Sequence, residues 1–109
     1  MACLIDRPFS ITAEVDGEVA NVTVAGEIDP ATVGTFSTVL LTLASDGVRS
    51  FVIDASALTF VDSTAIQALQ RVLDAEGGTQ VTISGPPHRL LDLLLATGLD
   101  TLITVDPPL

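Results

Sequence analysis

The stretch TFVDSTAIQAL (Thr59–Leu69) changes periodicity halfway along. Thr59 to Val61 closes an apolar run that begins at SFVIDAS (Ser50–Ser56), which reads as a buried strand. The stretch from about Ser63 to Glu76 reads as a helix, with Ile66, Leu69, Val72 and Leu73 on one side. A strand passing directly into a helix is half of a strand–helix–strand unit. The residues at the junction are Asp62, Ser63 and Thr64, and the order of elements on either side of them decides the fold.

Upstream, FSITAEV (Phe9–Val15) sets Phe9, Ile11, Ala13 and Val15 against Ser10, Thr12 and Glu14, the pattern of a half-buried strand. Asp16-Gly17 is a hairpin turn signal, and VANVTVAG (Val19–Gly26) alternates again. Asp29 followed by Pro30 is a good cap and first position for a helix carrying Val33, Phe36, Val39, Leu40 and Leu43. Asp46-Gly47 ends that helix. Downstream, Gly77-Gly78 stops the second helix, and QVTIS (Gln80–Ser84) is another alternating strand. Pro86-Pro87 opens a third helix that Gly98 closes, and TLITV (Thr101–Val105) is a last short strand.

The resulting order, β-β-α-β-α-β-α-β, predicts an α/β domain with a mixed, mostly parallel sheet. Strands covered on both faces are continuously apolar, whereas these alternate. The helices are therefore expected mainly on one face, with the other face polar and open. At 109 residues, 48% of them apolar, the chain is expected to be one domain with its core at about residues 8–105.

Composition narrows the function. The formal net charge is −10, and the basic residues are Arg7, Arg49, Arg71 and Arg89, with no lysine. Four scattered arginines make no basic stripe, which argues against direct nucleic-acid binding. The longest Leu-rich stretch, LLDLLLATGL (Leu90–Leu99), is too short to span a bilayer, and MACLIDRPF (Met1–Phe9) lacks the pattern of a signal peptide. A cytoplasmic protein without membrane insertion is expected. One cysteine, Cys3, and one histidine, His88, cannot assemble a zinc site. A P-loop and a G-x-S-x-G elbow are absent. Asp54 lies on a strand, but the lysine that normally accompanies a receiver-type aspartyl phosphate site is missing. No cofactor, no metal and no enzymatic activity are expected.

The Asp62-Ser63-Thr64 junction admits two readings. Thr64-x-x-Gln67 fits a capping box, in which Thr64 and Gln67 satisfy orphan backbone N–H groups at the helix start. Alternatively, the positive end of the helix dipole tolerates a phosphate on Ser63, whose charge of about −1.5 to −2 would act on a docked partner.

The β-β-α-β-α-β-α order, the turn Gly26-Glu27-Ile28-Asp29 and the run LTFVDSTAIQAL (Leu58–Leu69) together resemble STAS domains, specifically bacterial anti-sigma factor antagonists. Asp62, Ser63, Thr64, Ala65 and Ile66 follow the family's Asp-Ser-Ser/Thr-Gly-Leu pattern, with Ala65 at the usual glycine. Ala96 to Leu99 resembles a family Ser-Gly-Leu segment. The resemblance implies a partner-switching protein. Unphosphorylated, it would bind an anti-sigma factor that is also a GHKL-type serine kinase. It would be released on phosphorylation of Ser63 and reset by a phosphatase. Asp29, Thr32, Asp62, Thr64 and Ala65 would share the docking surface. STAS proteins also include adaptor subunits of lipid-transport ABC systems, which need no phosphoserine. The exposed leucines of such an adaptor would be Leu91 and Leu95.

Overall fold

The structure, a computed structural model, describes residues 9–75 and 78–106. Cys3, Arg7, Glu76 and Gly77 therefore lie outside the described residues. The elements are β1 (Phe9–Asp16), β2 (Val19–Ile28), α1 (Val33–Ser45), β3 (Ser50–Val61), α2 (Ser63–Leu73), β4 (Gln80–Ser84), α3 (His88–Thr97), a 3-10 turn (Leu99–Thr101) and β5 (Ile103–Asp106). The predicted order holds throughout. So does the last short strand.

The five strands lie side by side in chain order. β1 and β2 form an antiparallel hairpin, and every later pairing is parallel. Because the order never reverses, each right-handed crossover carries its helix to the same side of the sheet. Burial records that one-sidedness. Ala20, Val22, Val24 and Ile28 of β2 are buried, while Asn21 and Thr23 between them are exposed. Phe36 and Leu40 of α1, Ile66, Leu69 and Val72 of α2, and Leu90 and Leu94 of α3 meet the inward strand residues, with Phe51 fully buried among them. Each such side chain contributes about 1.5–3 kcal/mol by leaving water. The void left among Ile28, Phe36, Leu58, Ala65 and Leu90 is about 10 Å³. Its lining is apolar throughout, so a water there would find no hydrogen-bond partners.

One burial pattern and two boundaries depart from the sequence reading. First, Ala13 and Val15 alternate correctly but are exposed, Val15 by 51%. A hairpin, not a crossover, joins β1 to β2, so no helix comes with this edge strand to cover it. Second, α1 begins at Val33 rather than after Asp29, with Thr32 at the cap position. Asp29-Pro30-Ala31-Thr32 is instead a turn, closed by Thr32 N–H donating to the Asp29 carbonyl at 3.1 Å. Third, α2 stops at Leu73, ahead of the glycines. The Thr79 hydroxyl donates to the Val72 carbonyl at 2.6 Å and so ends that helix from outside. α3 behaves as read: Pro87 precedes it, and Gly98 closes it in the left-handed conformation at φ 78°.

β3 is the longest strand, and its register against β2 slips twice. Thr23 faces Asp54 but Ala25 faces Ala57, and Gly26 faces Leu58 but Glu27 faces Phe60. Each slip inserts one extra residue into β3. The buried positions accordingly run Phe51, Ile53, Ala55, Leu58, Val61. At the first bulge, Asp54 Oδ1 accepts the Ser56 hydroxyl at 2.7 Å and the Ser56 N–H at 3.0 Å. Gly85 packs on the same spot, with φ 63°, and a Cβ there would stand 2.9 Å from the Ser56 Cβ.

Two expectations follow from this bulge. Gly85→Ala should cost about 1–3 kcal/mol in chemical denaturation, because both the backbone angle and the space exclude a side chain. Gly34→Ala, in α1 with open space around it, should be neutral or stabilising. The Ser56 hydroxyl and then its N–H hold the Asp54 carboxyl below its ordinary value of 3.8. The charged form is the favoured one, so this contribution is present above the unfolded pKa and is lost as pH falls through the lower folded value. Ser56→Ala should move the Asp54 midpoint upward in an NMR titration.

Candidate functional site

β2 and β3 run parallel and end together, with Ile28 opposite Val61. The next residue of each strand is an aspartate, so Asp29 and Asp62 emerge side by side at the carboxyl edge of the sheet. Binding sites of open α/β sheets lie at this edge. Asp62 N–H donates back to the Ile28 carbonyl at 3.3 Å and ties the two chain segments together.

Each aspartate organises the turn that follows it. Asp29 is 4% exposed, and its Oδ1 accepts the N–H groups of Ala31 at 2.9 Å and Thr32 at 3.1 Å. The Thr32 hydroxyl donates to the Glu27 carbonyl at 2.7 Å and accepts the Asp29 N–H at 3.0 Å. Asp29 thus uses the chemistry of a helix cap, as its sequence context suggests, but spends it on a turn ahead of α1. Thr32 is half-buried and committed to the same turn.

Asp62 is the N-cap of α2. Its Oδ1 accepts the Thr64 N–H at 3.0 Å and also the Thr64 hydroxyl. Its carbonyl accepts the Ala65 N–H at 3.1 Å. This corrects the capping box read from Thr64 and Gln67. The helix starts at Ser63, as the spacing predicts, two residues ahead of the start that a Thr64 cap would set, so Thr64 is already its second residue and Gln67 lies exposed further along. An aspartate directly before the first helical residue outcompetes a threonine inside the helix, because only the former has the extended backbone that aims its oxygen at the first-turn N–H groups.

The three remaining residues of the junction separate sharply. Ser63 is exposed, and among the described residues its hydroxyl has no hydrogen-bond partner. Thr64 is half-buried, with its hydroxyl held by Asp62. Ala65 is 1% exposed and faces the core from the third position of α2. No residue other than glycine has a positive φ among the described residues, so Ala65 sits on ordinary helical backbone, where alanine is the best residue. Its side chain offers no surface to a partner.

Two depressions flank the junction. One, of about 390 Å³, is lined by Glu27, Asp29, Pro30, Phe60 and Asp62. The other is a cleft of about 120 Å³ between α1 and α2, with Thr64 and Gln67 on one wall and Val33, Gly34 and Ser37 on the other. Phe60 was not foreseeable as a surface residue: in the sequence it belongs to the apolar run, yet it is 47% exposed. Its orientation comes from the second β3 bulge, which leaves no local mark in the composition. His88, the first residue of α3, is exposed. Among the described residues no group of three or more His, Cys, Asp or Glu could hold a metal ion. No helix of the described residues is long and apolar enough to cross a membrane.

Solved structures share this architecture. An anti-sigma factor antagonist from Mycobacterium paratuberculosis superposes with a TM-score of 0.80 at 24% identity, over 94% of this chain and 88% of that one. The anti-sigma factor antagonist SpoIIAA in its unphosphorylated form gives a TM-score of 0.71 at 20% identity, over 90% of this chain and 87% of that one. The Bacillus cell fate determinant SpoIIAA in the phosphorylated form gives 0.67 at 20% identity, covering 90% of each chain. These are likenesses of fold. None of the curated protein sequences matches the chain. The family model described as "Mlab, STAS domain" matches residues 11–104, nearly the whole of the described structure. With the one-sided sheet, the capped Asp62 turn and this match together, the chain belongs to the STAS domain family.

Proposed function

We propose that this STAS domain is an anti-sigma factor antagonist that works by partner switching, with Ser63 as its phosphoacceptor. The observation that carries the reading is the division of labour at the head of α2. Asp62 and Thr64 are bonded to each other, and the adjacent Ser63 hydroxyl is exposed and unengaged. The likeness to SpoIIAA, whose fold is known in unphosphorylated and phosphorylated forms, supports it.

In the unphosphorylated state the carboxyl edge around Asp29, Thr32, Asp62 and Thr64 docks an anti-sigma factor that is also a GHKL-type serine kinase, and the sigma factor is freed. Asp29 and Thr32 act by shaping this edge, since their polar atoms are committed to the turn. The kinase holds ATP. Ser63 Oγ attacks the γ-phosphorus, the hydroxyl proton is lost, the bond from that phosphorus to the bridging oxygen breaks, and ADP leaves. A phosphatase restores the serine by hydrolysis.

The consequence is electrostatic. The first-turn N–H groups of Thr64 and Ala65 are already taken by Asp62. A phosphate on Ser63 therefore does not fold back onto the helix end; it projects from the surface beside the Asp62 carboxylate. It adds about −1.5 to −2 charges to a surface that was docked. A unit negative charge on the partner about 4 Å away would cost roughly 4 kcal/mol at the dielectric typical of a protein surface. Release thus needs no refolding of the domain.

A second reading has its own observation. Leu95 is 49% exposed and Leu102 64%, whereas Leu91 is half-buried and Leu90 and Leu94 are in the core. Exposed leucines suit an adaptor docked permanently on a larger assembly such as a transporter ATPase. Co-purification separates the two: a GHKL-type kinase supports the switch, and an ATP-binding cassette subunit supports the adaptor.

With the cognate kinase and ATP, intact mass should show one added phosphate on the wild-type chain, none on Ser63→Ala, and one on Thr64→Val. Phosphate on Ser63→Ala would overturn the assignment. Ser63→Glu should unfold at the wild-type temperature yet bind the kinase on the order of tenfold more weakly or worse. Asp62→Ala should lose about 1 kcal/mol of stability through the missing cap, with most of it kept in Asp62→Asn.

A further inference from the structure

We infer that Phe60 is the specificity-determining anchor of the docking edge, and that it receives an arginine side chain of the anti-sigma partner; this rests on the reading of the edge as that partner's docking surface. Phe60 is the exposed aromatic among the described residues: Phe51 and Phe36 are in the core, and Phe9 is half-buried. It stands on the open face of the sheet, which it shares with Ser10, Thr12, Val19, Asn21, Thr23 and Asp54.

The exposure is built into the strand. After Leu58, which points inward, strict alternation would turn Thr59 out, Phe60 in and Val61 out. The bulge makes Thr59 the extra residue, so Phe60 pairs with Glu27 on the open face and Val61 takes the inward place opposite Ile28. The Thr59 hydroxyl donates to the Gly26 carbonyl at 3.2 Å across the bulge. Bulges of this kind re-aim side chains next to functional sites. An unbulged strand of the same sequence would pair Thr59 with Glu27 and turn the ring into the core.

The surroundings select the occupant. Phe60 shares its groove with Pro30 and with the acidic side chains of Glu27, Asp29 and Asp62, and none of the lining residues is basic. The groove abuts Ser63 through Asp62. An aromatic face in an acidic groove favours a cation over a purely apolar group, and the planar guanidinium stacks on such a face.

The test uses the full chain and the kinase that phosphorylates Ser63. Phe60→Ala and Phe60→Leu are titrated against it at low and high salt, with thermal unfolding as the control for folding. Phe60→Ala should bind on the order of tenfold more weakly or worse. Phe60→Leu, which keeps apolar bulk but no aromatic face, should stay severalfold weaker than wild type, with a shallower salt dependence. Wild-type affinity in Phe60→Ala, with Ser63 still phosphorylated, would overturn the inference and leave the switch standing. Full affinity in Phe60→Leu would overturn the arginine. A wild-type chain that neither binds nor accepts phosphate would remove the switch, and this inference with it.

Discussion

The parallel pairing of β2 with β3 is the constraint on which the rest of the molecule depends. It brings two segments far apart in the chain to a common end at Ile28 and Val61. From there both must turn out of the sheet, and each does so with an aspartate. A carboxylate suits both exits because a chain leaving a strand exposes backbone N–H groups that no strand or helix partner satisfies. Two independent local needs, a turn after β2 and a cap before α2, thus place two aspartates next to each other. The site is in that sense a by-product of ending two strands at the same level.

The bulges in β3 adjust this pairing without breaking it. β3 carries two residues more than β2 needs over their shared length, and the inward positions move from a spacing of two to a spacing of three. Leu58 and Val61 stay in the core as a result. The outward positions Thr59 and Phe60 become neighbours on the open face. A strictly alternating strand of the same composition would bury Phe60 and expose Val61, which leaves a smoother surface and a less distinctive edge.

At the head of α2, folding uses every side chain but one. Asp62 and Thr64 are used up in starting the helix, and Ala65 and Ile66 in filling the core. Ser63 is left over by geometry: the first residue of a capped helix points outward when its cap and its third residue point in. A modification there changes surface charge while the cap, the helix and the core beneath stay as they are. The same economy explains why alanine at position 65 is at ease. The position asks for a small helical side chain against the void of about 10 Å³, not for a left-handed backbone.

The sequence by itself determined the order of elements, the one-sided burial of the sheet, and the junction at which a strand becomes a helix. Periodicity is a local property, and alternation in β2 or the helical repeat of Ile66, Leu69 and Val72 needs no knowledge of neighbours. Asp29, Asp62 and Ser63 stood out for the same reason, because small polar residues between apolar runs mark turns and caps. Only the tertiary structure decided which residue does the capping, since that depends on where the backbone of β3 leaves the extended conformation. It also decided that Ala13 and Val15 stay exposed, because coverage depends on which connections carry a helix. And it decided that Phe60 faces outward, because a register slip is a relation between two strands and neither strand records it alone.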